Sequence, residues 1–449
     1  MDDRVVVTGT GLVSSLGLSA SETWDAVLSG KHGIKQIEDF DVQGFDCQVA
    51  ALVPGLNPSV LDIHPRDARI MDKHSYMLMK CARDAFKQAG LDTALISSED
   101  IGLFAGIGMV DYNIGDLIPA VKKSIDSQGH LDYDAFFSHG YQEIYPLWPL
   151  SMLNNISFCQ VAIRLNIRGE NTVFSPHADS GIQAITEAVN ALIDKKAQAV
   201  IAGGVSEKVS PLSMARAGLH GILNTNSHFP PFVTGRASGS PLLKKGDEGG
   251  FSDDMLCRPF SSDRKGTVLG EGCGMLALEL QSSAEKRRIP YTAMITGYGH
   301  AFEREDDSFN PTSKAIISSM NTAMEHAGIR PSDIDVIIAH ADGTFSGDRN
   351  EIEAINLTFA DCLHKTLVFS SKGALGHSHA GAPVIDIILG IHMLKHGIIP
   401  PTLHSLPLDK EVKFHLVNGK PLKTNLKRIL INAGSYEGQC ASLIIEAVN

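Results

Sequence analysis

The chain has 449 residues, 43% of them hydrophobic and 20% charged, which excludes a disordered polymer and allows one large core or two to three domains. A formal net charge of −12 leaves no surplus of lysine and arginine for nonspecific nucleic-acid binding, so a basic docking surface would have to be local. Seven cysteines lie scattered singly, and the apolar run Val384 to Leu394 is broken by Asp386 and His392. The start carries acid at once and no apolar leader, so the expectation is a cytoplasmic protein with reduced thiols and no membrane span. Eighteen histidines occur without a His-Glu-x-x-His or Cys/His cluster, so no metal site is expected.

In chain order, the β-branched run Arg4 to Thr8 reads as a strand ending in a turn at Gly9-Thr10-Gly11. With Ser14 where a third glycine would stand, Gly9-x-Gly11 is too little for a dinucleotide fold. Lys73 to Gly90 has helical spacing, Ile101 to Ile107 is a buried-strand candidate, and Ser180 to Lys196 reads as a helix. A strand at Ala199 to Ala202 follows, with a turn at Gly203-Gly204. His228 to Asp254, with Pro230-Pro231 and a polar Lys-Gly-Asp-Glu run, has the chemistry of a loop or insertion. Strands alternating with helices predict an α/β layered fold with much parallel sheet.

Two echoes suggest a duplicated unit joined near residues 255 to 262. Val7 to Gly11 returns as Ile295 to Gly299, and Ala199 to Gly204 returns as Val336 to Ala341. Two histidines each follow a probable buried strand, where sites in α/β sheets assemble. His340 follows Asp335 to Ala339; His377 closes Ser370-Ser-Lys-Gly-Ala-Leu-Gly-His377, with Lys372 five residues before it. Imidazole in such a place can donate a hydrogen bond to a carbonyl or shuttle a proton.

Several strings together resemble the β-ketoacyl-carrier-protein synthases of the elongating type. They are Arg4 to Gly17, Ala199 to Gly204, Lys372 to His377 and, most specifically, Arg258-Pro-Phe-Ser-Ser-Asp-Arg-Lys-Gly-Thr-Val-Leu-Gly-Glu-Gly272. The resemblance implies a thiolase-like α/β fold of two βαβαβαββ halves, here 1–256 and 257–449, in a five-layer αβαβα stack that dimerises through its first half. It implies carrier-bound thioester substrates of type II fatty-acid or polyketide assembly, an acyl carrier protein with its phosphopantetheine arm as partner, and no bound cofactor. His340 and His377 match the family's two catalytic histidines and Lys372 its lysine; Asp386 stands where a glutamate usually pairs with that lysine. Asp348 and Glu351 match too.

The nucleophile departs from the pattern. Aligned on Arg168-Gly169 and Ser180-Gly181, Ala178 stands in the place of the family's cysteine, and a methyl group cannot form a thioester. Cys159, the nearest thiol in sequence, is expected to be a buried small hydrophobe. The gating Gly-Phe-Gly-Gly loop reads Ser435-Tyr436-Glu437-Gly438, which predicts a stiffer loop. Of the threonines that contact the pantetheine arm only Thr344 remains, with Asp342 at the other position. The backbone N–H groups of Ala178 and Tyr436 fall where the family builds its oxyanion hole, and Arg66 with Arg69 are the candidates for carrier docking. These departures favour a partner subunit, similar to a chain-length factor, in a heterodimer with a cysteine-bearing ketosynthase. A malonyl-carrier-protein decarboxylase using His340 and His377, and a condensing enzyme whose cysteine was replaced by design in a homodimer, are the alternatives.

Overall fold

The computed structural model describes residues 3–92, 96–112, 114–175, 177–225, 256–305 and 309–448; the expected insertion at 228–254 lies outside them. To the main sheet the first half supplies five strands, with three principal helices. The strands are β1 (Val5–Ser14), β2 (Ile101–Ile107), β3 (Asn171–Phe174), β4 (Ala199–Val205) and β5 (Gly272–Leu280). The helices are α1 (Lys73–Gln88), α2 (Asn155–Leu165) and α3 (Ser180–Ile193). The second half supplies β6 (Ala293–Phe302), β7 (Val336–Ile338), β8 (Leu367–Phe369), β9 (Arg428–Gly434) and β10 (Gln439–Ala447). Its helices are α4 (Ser313–Ala327), α5 (Phe345–Thr358) and α6 (Ala382–His396). Taken in chain order, each half is a βαβαβαββ unit.

Sheet order makes the duplication explicit. Outward from β1 run β5, β4, β2 and β3; outward from β6 run β10, β9, β7 and β8, and β1 pairs with β6 where the halves meet. Strand pairing carries the first half to Leu280, because β5 lies between β1 and β4. The first echo is structural, since β1 and β6 hold equivalent places. The second is not: β4 has β9 as its counterpart, and β7 has β2.

The turns expected at Gly9-Thr10-Gly11 and Gly203-Gly204 are strand interior. The glycines are there because helices come too close for a side chain. A Cβ on Gly11 would lie 2.0 Å from the Cys81 carbonyl oxygen on α1, and one on Gly299 would lie 2.3 Å from that of Ser319 on α4.

Strand residues alternate between two cores. Leu276 and Leu278 pack with Ile182 of α3 and Val384 of α6, whereas Met275 and Ala277 pack with Met77 and Cys81 of α1. Likewise Ile429 and Ile431 face α6 while Leu430 faces Met320 of α4. Sheets covered on both faces explain the unbroken apolar runs. Helix α6 is buried on all sides from Ala382 to Ile391, which suits a central layer between the two halves of the sheet. Cys159 departs from expectation. It is exposed, because α2 buries Ser157, Phe158 and Val161 instead. Among the described residues no helix is long and apolar enough to cross a membrane.

Candidate active site

Helix α3 begins at Ser180, with Asp179 as its N-cap and Ala178, 3% exposed, just before it. The Asp179 carboxylate does not cap the helix. It accepts from Ser435 Oγ at 2.7 Å and from Gln183 Nε2 at 2.5 Å. The turn His379–Gly381 rests on this helix start, because a Cβ on Gly181 would meet the Ala380 carbonyl oxygen at 2.3 Å and one on Gly204 would meet it at 2.0 Å.

The second half places the histidines. Beyond β7 the chain passes through His340 and then Ala341, whose φ of +28° is in a region L side chains rarely adopt. Buried Glu351 of α5 holds that bend, accepting from the His340 N–H at 2.9 Å and the Ala341 N–H at 2.8 Å, while Ser370 Oγ donates to the Ala341 carbonyl at 3.1 Å. Asp348, also on α5, accepts from the N–H groups of Gly343 and Phe260. Burial, followed by the Asp342 charge, pushes its carboxyl well above the usual range.

The Arg258–Gly272 string is the mortar of the site. Besides Phe260, it contributes the Val268 carbonyl that accepts from the His377 N–H at 2.8 Å and the Gly270 N–H that donates to the His377 carbonyl at 2.9 Å. Its Arg264 pairs with Asp409 at 2.7 Å, and its Glu271 pairs with Lys73 at 2.5 Å.

His340 and His377 meet edge to face, ring centroids 5.0 Å apart and planes at 90°. Neither ring nitrogen of His377, nor Nε2 of His340, has a hydrogen-bond partner, although His377 is fully buried. Burial is the main cause that holds His340 down at about 4 and His377 well below the ordinary imidazole range, so both are neutral near pH 7. A neutral, unpartnered pair can donate hydrogen bonds to one oxygen that gains charge.

Lys372 pairs with Asp386 at 2.5 Å in full burial, and Ser371 Oγ donates to the other Asp386 oxygen. Neither reaches a His377 ring nitrogen. The Lys372 charge acts on both imidazoles through space, disfavouring their protonation.

The loop after β9 is strapped down by two hydrogen bonds and lies against His177. Ser435 bonds Asp179, Tyr436 Oη donates to Asp342 Oδ2 at 3.2 Å, and Glu437 Oε2 lies 3.0 Å from His177 Nδ1. Thr344 donates its N–H and Oγ1 to Asp342 Oδ1. Thus Asp342, Thr344, Ser435 and Tyr436, the residues expected along a pantetheine path, are all buried and bonded internally. Sequence reasoning missed His379, whose ring lies 4.7 Å from that of His377 and whose Nε2 is 3.4 Å from Glu207. Its one signal was its place two residues past His377. Arg66 and Arg69 are exposed beside a short helix, Pro65–Ala68, well separated in role from Lys73, which the Glu271 pair occupies.

The sequence profile described as "Beta-ketoacyl synthase, N-terminal domain" matches residues 2–284, and that of the C-terminal domain matches 292–405. The chain belongs to the β-ketoacyl synthase family. It is 28% identical over 451 residues to "3-oxoacyl-[acyl-carrier-protein] synthase 2" of Coxiella burnetii (strain RSA 493 / Nine Mile phase I), covering 99% of each. The protein of the same name from Staphylococcus aureus (strain COL) is 27% identical over 449 residues, covering 99% of this chain and 98% of that protein. Among solved structures, "The ishigamide ketosynthase/chain length factor" superposes with a TM-score of 0.82 at 23% identity, covering 100% of both chains. A β-ketoacyl synthase from Burkholderia phymatum STM815 gives 0.79 at 21%, again over 100% of both. These likenesses establish a thiolase-type ketosynthase fold.

Proposed function

We propose that this chain is the non-acylated subunit of a ketosynthase heterodimer in type II fatty-acid or polyketide assembly, where it shapes the product pocket of a cysteine-bearing sister. The carrying observation is the strapped loop beside Ala178. Where a condensing enzyme needs a thiolate and a gate that opens, this chain has a methyl group and a loop whose Ser435 and Tyr436 side chains are both hydrogen-bonded to buried carboxylates. A partner surface is also at hand in the first half. Strand β3 is an edge strand with exposed Asn171 and Thr172, and Tyr133, Phe137, Tyr141 and Tyr145 are all exposed at four-residue spacing. An acyl carrier protein is the expected third component, with Arg66 and Arg69 as its landing site.

A second reading is favoured by the unpartnered imidazoles. Loss of CO2 from a malonyl thioester needs an enolate-stabilising pair and no nucleophile, and His340 with His377 provides one. Against it stands Asp342, a carboxylate 3.9 Å from His340 Nε2 that would repel the malonyl carboxylate.

Mass spectrometry of malonyl-carrier protein separates the two. The expected result is no conversion by this chain alone and condensation when a cysteine-bearing sister is added. Conversion to acetyl-carrier protein by the isolated chain, lost in His377→Ala, would overturn the partner reading in favour of the decarboxylase.

A further inference from the structure

We propose that His340, Asp342 and His377 form a binding site for one first-row divalent cation of the zinc class. The site goes beyond the subunit reading and does not depend on it. One ring nitrogen from each histidine and one Asp342 oxygen all lie within 4.8 Å of one another, and the His340 Nε2 to Asp342 Oδ2 separation is 3.9 Å. Donors on one tetrahedral ion sit about 3.4 Å apart, given bond lengths near 2.1 Å, so small side-chain rotations close the set.

Three observations point to an ion. First, the donors are free. Both His377 ring nitrogens and His340 Nε2 lack hydrogen-bond partners, in residues only 0% and 9% exposed. Buried polar atoms without partners are rare and call for an occupant. Second, Asp342 is 0% exposed, and its bonding partners are the N–H and hydroxyl of Thr344 and the hydroxyl of Tyr436, all neutral. The nearby buried cations are committed elsewhere: Lys372 pairs with Asp386 and Arg264 with Asp409. A buried carboxylate with only neutral donors lacks the charge compensation that burial demands, and a cation held also by the two histidines supplies it. Third, the donor set is chemically coherent, since two imidazoles and one carboxylate suit zinc, cobalt or ferrous iron and not magnesium or calcium. The sequence concealed the site because its ligands are spaced His-x-Asp and then 35 positions on, and fit no short motif.

An ion here would also account for two histidines kept beside Ala178. Their role would be to hold a cation beside the strapped loop, with Tyr436 bonded to Asp342.

The test uses the full chain, stripped with a chelator and titrated with Co2+. The expected result is one Co2+ per chain with the visible bands of a low-coordinate site. Asp342→Asn, which keeps the shape and the neutral hydrogen bonds, should weaken binding by about 100-fold or more, beyond the loss typical of a change outside the ligand set. X-ray absorption of the loaded wild-type chain should show two imidazole ligands, a readout that needs no variant. No Co2+ uptake by the folded wild-type chain overturns the proposal. So does binding that Asn at 342 leaves unchanged, or a spectrum with fewer than two imidazoles, since either marks adventitious surface histidines.

Discussion

The two walls of the site differ in kind. The wall from the second half is built of buried, mutually bonded chemistry, Lys372 with Asp386 and Glu351 under His340, and the Arg258–Gly272 string of the first half backs it at His377. The wall from the first half is the bare start of α3, where Ala178 has a methyl group and Asp179 bonds the Ser435 loop. The difference teaches where divergence is cheap. A residue at the tip of a helix, with no bond of its own, can change without disturbing its neighbours, whereas each member of the imidazole wall supports another.

Breaking the second wall should cost the most. Lys372→Met leaves Asp386 charged and buried, and should destabilise the chain by about 3–5 kcal/mol in a urea titration. If the loss is under about 1 kcal/mol, the wall is not the rigid element described.

A slightly smaller effect comes from acid. The His340 imidazole is held down at about 4 by burial, against an ordinary value of 6.5, so between those pH values the unfolded chain binds more protons than the folded one. Stability is therefore full above pH 6.5 and falls as the pH drops towards 4, by about 3 kcal/mol for a displacement of this size. Urea midpoints across that range should decline. His340→Asn should flatten the decline, leaving the part due to His377 and His392, which are displaced in the same direction.

The smallest change sharpens the contrast from the loop side. Tyr436→Phe removes one hydrogen bond to Asp342 and should cost about 1 kcal/mol, while amide exchange in 435–438 should speed up. Unchanged exchange would mean that the strap is held by Ser435 alone.

Much of this was legible in the sequence because it rested on patterns with a single physical reading. The run at Ile101–Ile107 is a strand to the residue, and Asp72 with Ser75 caps the helix expected from Lys73. His340 and His377 come together as their strand-end positions suggested. Glycine was misread twice. At Gly9-Thr10-Gly11 and Gly203-Gly204 it marks close approach of another chain segment, a tertiary fact that local turn chemistry cannot reveal. The strap was equally hidden, since Ser435 and Tyr436 find partners some 90 to 260 positions away in sequence. The second echo failed because short apolar strings fit any buried strand of a layered fold.

The contact of Gly181 and Gly204 with the Ala380 carbonyl has a further consequence. The gap between the helix tip and the imidazole wall is set by missing atoms at two glycines, backbone against backbone, and by no side chain that takes part in a reaction. Shape and reactivity are thus inherited through different residues. A side chain at 178 can therefore change while the cleft keeps its dimensions.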